Sequence, residues 1–237
     1  MESQIGASSL SPNGAMIVES FKRELRDWLE AAPQQLSANQ LYNNNYGSSE
    51  WFEIMYQHSI LLLYRHRLVH SNHHSSQRIN REQTALSSSI FVECANAAHS
   101  ICHLYRRLYV TQRLNDTWGA LHVLFLGGAT FLHCLWISEE TRALYRLDKV
   151  SATCTACMVV LAVMSERWHA VEAYRDAFDM LSNATQAMLA ERAAAITPPA
   201  MPVLSASVND QLSNHLSHIA EIGMCPSVEA LLADMID

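Results

Sequence analysis

Cys154 and Cys157 stand three apart, the spacing used by redox dithiols and by half of a zinc site. Either use needs exposure, a helix N-terminus or a second ligand pair. This pair lies instead inside an apolar run, VSATCTACMVVLAVM, with no second such motif, so buried core thiols are expected. His99 and His103 are four apart, with Cys102 beside them. They share a helix face and would ligate zinc if an acid joined them from another helix. His66 and His70 have the same spacing, but no Glu lies between them, so the metalloprotease signature is missing. An exposed polar face before the segment SNHHSSQ is expected there.

His122 and His133 fall within the segment Trp118–Ile137, twenty residues without a formal charge. Buried imidazoles need hydrogen-bond partners, and two satisfied core histidines are the simplest reading. The sharper reading is a ligand cavity at mid-bundle. Trp118, His122, Phe125, Phe131, His133 and Trp136 would then supply aromatic walls and polar anchors for a small apolar molecule. Helical spacing does not place all six on one face. No nucleophile elbow, phosphate loop, dinucleotide fingerprint or His-Glu-x-x-His motif is present. No catalytic residue, metal or cofactor is therefore assigned, and an enzyme is the less favoured reading.

These residues must be positioned by helices. The chain has 237 residues, 49% of them hydrophobic and 16% charged, as expected of a chain with one sizeable core. Seven glycines and six prolines are too few for a turn-rich β fold. The net charge of −7 does not suit a chain that grips DNA by itself. Six cysteines scattered through apolar segments suit a reducing compartment, and MESQIGASSLSPNG has no signal-peptide pattern.

The expected architecture is all-α, a single-domain array of antiparallel helices around a buried central helix. Residues 1–14 are expected to be a disordered N-terminus. Residues 15–195 form the helical domain, 196–208 a Pro-rich linker and 209–237 two short helices. The first helix, from about Ala15 to Ala31, is expected to turn Ile17, Phe21, Leu25, Trp28 and Leu29 inward. The second starts at Ser49 as N-cap, and the third runs from about Arg81 to Val110. Asn115 or Asp116 would cap the central helix and Ser138 the short fifth. Val150–Met164 reads as too short to span a membrane, and Ser165 as the start of a long amphipathic helix through about Arg192. Trp118–Ile137 is long enough to span, but its acidic flanks Asp116 and Glu139-Glu140 favour a core helix. Gly127-Gly128 is expected to permit close helix approach. The terminal LLADMID has the composition of an activation segment or of a docked amphipathic helix.

Three segments resemble the regulatory, or middle homology, region of fungal zinc-cluster transcription factors. They are YQHSILLLYRHRL (56–68), TWGALHVLFLGGATFLHCLW (117–136) and CTACMVVLAVMSERWHAVEAYRDAFDMLSNATQAML (154–189). The resemblance covers the C-terminal half of that region. It implies an all-α fold, a nuclear location and transcriptional control, secondary metabolism included. Protein partners of the transcription machinery, a homodimer mate or a small apolar effector are implied as partners. The family's six-cysteine, two-zinc DNA-binding module has no counterpart here, since the first cysteine is Cys94 and no basic run accompanies it. Neither direct DNA binding nor membrane association is expected.

Overall fold

A computed structural model describes residues 12–32, 48–70, 81–114, 117–194 and 206–223. Among these residues all regular structure is helical. The elements are α1 (Pro12–Glu30), α2 (Ser49–His70), α3 (Arg81–Val110), α4 (Trp118–Ile137), α5 (Glu139–Leu144), α6 (Leu147–Arg167), a 3₁₀ turn (His169–Val171), α7 (Glu172–Ala194) and α8 (Ala206–Ile222).

The central helix is α4. Thr117, not Asn115 or Asp116, caps it, its Oγ1 accepting from the Ala120 N–H at 3.1 Å. An unbroken buried run from Val123 to Trp136 covers every side of the helix, which explains the absence of charge. It packs against α3, α6 and α7. Gly127 and Gly128 make this close. A Cβ at Gly127 would lie 2.9 Å from Ile101 Cγ2, and one at Gly128 would lie 2.6 Å from Phe178 Cε2 and 2.8 Å from Cys157 Sγ. One glycine thus admits α3, and the other admits α6 and α7. The Ser138 hydroxyl then accepts from the Thr141 N–H at 3.1 Å and starts α5. Arg142 reaches back to donate to the carbonyls of Leu135 and Trp136, both at 2.8 Å, closing the end of α4.

Several boundaries differ from the sequence expectation. α1 begins at Pro12, and α2 is opened by Ser48, whose Oγ accepts from the Trp51 N–H at 3.1 Å. The apolar run 150–164 is the inner part of a 21-residue helix extended at both ends by charged residues. α4 and α6 are both long and apolar enough to cross a membrane, yet 78% of the α4 window is buried inside the bundle. The helix expected to start at Ser165 is broken: Trp168 is extended (φ −132°, ψ 107°), and α7 begins only at Glu172. Arg175 Nη1 donates to Ser165 Oγ at 3.2 Å across that corner. The N-terminal tail to residue 11, the linker up to residue 205 and the LLADMID segment lie outside the described residues, whereas residues 206–208, expected in the linker, open α8.

The largest change concerns α1. Val18 and Leu25 meet the core, whereas Ile17, Phe21 and Trp28 face outward. Lys22 decides this orientation. Its ammonium reaches across to Glu93 on α3, 2.8 Å from Oε1 and 3.0 Å from Oε2, and the Tyr64 hydroxyl donates to Glu93 Oε2 at 3.1 Å. Burial lowers the Lys22 ammonium's pKa, but the Glu93 carboxylate outweighs it and the net shift is upward.

A second polar clasp joins the far ends of α2 and α3. α3 closes with Gln112 in the left-handed region (φ 55°), its N–H bonded to Tyr109 O and that of Arg113 to Leu108 O. This closure delivers Arg113 to buried Glu50, at 2.8 Å. Burial would raise the Glu50 carboxyl, but its own backbone amide and the Arg113 guanidinium hold it below the usual carboxylate range.

Candidate functional site

The six aromatic and histidine residues expected to line one cavity are divided among four surroundings. Trp118, His122 and Phe125 stay together at the start of α4, gathered around Tyr174 of α7. Ring centroids lie 6.1, 5.9 and 4.9 Å from that of Tyr174, all edge-on. Trp118 is 39% exposed, Phe125 is buried, and the fully buried Tyr174 has a hydroxyl with no hydrogen-bond partner. Burial pushes that phenol up to about 12. His122 Nδ1 is 2.8 Å from the Trp118 carbonyl and Nε2 is 3.3 Å from the Gly223 carbonyl, tying the end of α8 to the start of α4. Phe131 belongs to a different group, with Tyr145 at 5.0 Å and His99 at 6.2 Å. His133, fully buried, stacks obliquely on Phe91 at 6.3 Å. Trp136 donates from Nε1 to Thr185 Oγ1 at 2.8 Å. Successive residues of a helix turn by about 100°, so one helix cannot aim six side chains into one space.

A second constellation sits on α3. His99 and His103 have ring centroids 4.3 Å apart, and they line an open groove of about 440 Å³ with Ser49, Glu53, Ser100, Leu104 and Arg107. The Thr153 hydroxyl donates to the Lys149 carbonyl at 2.8 Å, so its oxygen accepts from His99 Nδ1–H, also at 2.8 Å. That network assigns the lone pair of His99 to Nε2. Burial, then the neighbouring His103 and Lys149, lower the His99 pKa to about 4, and burial lowers that of His103. Among the described residues no three His, Cys, Asp or Glu side chains converge to hold a metal ion. The spacing of the two histidines was legible, and Arg107, four residues after His103, continues the same face of α3, whereas Glu53 and Tyr174 reach these places only through tertiary packing.

The depressed His99 value predicts acid sensitivity. The unfolded imidazole takes up its proton near the ordinary value of about 6.5, the folded one near 4. Stability is fully present above the unfolded value and falls as the pH drops from about 6.5 towards 4. His99→Gln is expected to flatten that slope. Urea titrations at pH 7 and pH 5 check it, and an unchanged difference between the two pH values would count against the assignment.

The cysteines are placed for packing. Cys94, Cys102, Cys134, Cys154 and Cys157 are all buried free thiols. Burial pushes Cys154 up to about 11 and Cys157 well above its ordinary value, opposite to the lowering that activates a dithiol. Cys157 Sγ lies 4.0 Å from the Leu124 carbonyl, within the contact that Gly128 permits.

The described residues thus define an all-helical array whose polar clusters join helices to one another. Comparison with known proteins gives this scaffold a context. The chain is 27% identical to the positive regulator of purine utilization of Emericella nidulans over 175 residues, 70% of this chain and 16% of that protein. It is 33% identical over 120 residues to an uncharacterized transcriptional regulatory protein of Saccharomyces cerevisiae, 44% of this chain and 9% of that protein. The chain is homologous to fungal transcriptional regulators, in agreement with the resemblance carried by its three segments. It spans less than a fifth of either relative's length. No family profile matches the chain, and no solved structure matches it.

Proposed function

We propose that this chain is a transcriptional regulatory domain of the fungal type, acting in the nucleus through protein partners, its own dimer mate or a small effector, and not by reading DNA. The homology of 70% of the chain to a positive regulator carries the reading. Three observations support it. The net charge is −7, the polar clusters serve as inter-helix clasps, and the apolar segments that carry the resemblance fill the core of the bundle.

For a small apolar effector, Trp118, His122 and Phe125 form the part of the expected lining that remains together, and the orphaned Tyr174 hydroxyl beside them offers a polar anchor. Phe131, His133 and Trp136 have their own packing partners and serve the core in this reading.

A chimera tests the reading. The matched 175-residue region of the Emericella nidulans regulator is replaced by the corresponding part of this chain. Regulated expression from that protein's own target promoters is expected to survive. A chimera that accumulates to normal levels, resists proteolysis and yet activates nothing would contradict it.

A further inference from the structure

We propose that the outward face of α1 is a docking surface for a basic amphipathic helix of a partner protein. Ile17 is 55% exposed, Phe21 52% and Trp28 41%, and at about 100° per residue the three fall within about 40° of arc. Isolated exposed apolar side chains are ordinary, but a contiguous stripe of large ones marks a contact surface. The stripe continues off the helix. Trp28 meets Phe52 edge-on at 5.4 Å, and Phe52 meets Trp51 at 5.1 Å, extending an aromatic shelf onto α2. The Lys22–Glu93 pair and the half-buried Val18 and Leu25 hold α1 in one orientation, so the stripe is presented on a fixed support.

Charge selects the occupant. Glu24 borders the stripe, about 20° from Ile17 on the side away from Phe21, and Asp27 lies about 80° away on that same edge. Both are exposed. The cations of α1 lie farther from the stripe: Lys22 is bound to Glu93, Arg26 is about 180° from Ile17, and Arg23 is about 120° from it, beyond Asp27 on the same side. If a second copy paired antiparallel across a two-fold axis, the same edges would meet. With the axis between them, Glu24 would then face Asp27 of the second copy and Asp27 its Glu24, and like charges in contact are unfavourable. A helix with a Leu-type face and a Lys/Arg edge satisfies both the stripe and the acids, the helix-in-groove arrangement used by many regulatory contacts.

This inference rests on the regulatory reading and names its partner surface. The probe is a fluorescently labelled, end-blocked 18-residue peptide of leucine and lysine in amphipathic helical order, titrated with the full chain. Micromolar binding is expected, at least tenfold weaker for the variant I17S/F21S and for E24K/D27K. A leucine–glutamate peptide is expected to bind the E24K/D27K chain and not the wild type. The variant E172K/D179K, which removes exposed acids of α7, is expected to bind as wild type does. Equal loss in E172K/D179K would overturn the surface by showing general acidity only. Unchanged binding in I17S/F21S would overturn it too. A wild-type dimer in sedimentation that I17S/F21S abolishes would assign the face to a second copy instead. Circular dichroism of each variant confirms the helical fold. If tethered transcriptional activity persists while peptide binding fails, this surface is wrong and the regulatory reading stands.

Discussion

Trp136→Ala is expected to cost about 3–5 kcal/mol, the range for deleting a large aromatic from a packed core. The indole is 4% exposed at the end of α4, and it ties that helix to α7 through Thr185. Thr185 already donates its own proton to the Leu181 carbonyl at 2.7 Å, so removing the indole takes away the donor to its buried oxygen and leaves that hydroxyl only half satisfied. Set against a usual total of about 5–15 kcal/mol, the loss would take a large share of the stability. Trp136→Phe separates the two contributions. It keeps most of the apolar volume and removes the N–H donor, for an expected cost of about 1–2 kcal/mol. Urea-unfolding midpoints of the two variants give the comparison. Equal midpoints would show that the hydrogen bond, not the packing, carries the effect.

The second large effect concerns the glycine pair. Gly128→Ala would gain up to about 1 kcal/mol of helix propensity and lose about 1–3 kcal/mol through overpacking. At 2.6 Å from the Phe178 ring and 2.8 Å from Cys157 Sγ, the new methyl has no room, and the loss prevails. Gly127→Ala meets Ile101 at its Cγ2 (2.9 Å) and its Cβ (3.2 Å), and the latter sits near the α3 backbone and yields little. The two losses add only if α3 and α7 relax independently. Phe178→Leu supplies the internal check: in that background Gly128→Ala is expected to cost markedly less. An unchanged cost there would place the clash elsewhere.

The central helix was legible because its absence of charge has one economical explanation, contact on all sides. Ser138 was legible as a cap because its hydroxyl acts on residues close in sequence. The break at Trp168 was not. Ser-Glu-Arg-Trp-His contains neither glycine nor proline, and the corner is held by Arg175 reaching Ser165. The orientation of α1 was also hidden. Periodicity groups Ile17, Phe21 and Trp28 on one face, but Glu93, 71 residues beyond Lys22, decides which way that face points. The same holds for the candidate site. Sequence could name the aromatic residues of α4, but not that Tyr174 would gather three of them while Phe131, His133 and Trp136 joined other neighbours. Side chains on one helix share a segment without sharing a surrounding.

The most direct measurement of the central proposal joins this chain to a DNA-binding module of unrelated origin and reads a reporter gene carrying only that module's operator. The account predicts a change in reporter output of several-fold over the module alone. It also predicts that this change is lost in Trp136→Ala and that the untethered chain gives none. A folded fusion, present in the nucleus at normal levels and without effect on the reporter, would contradict it.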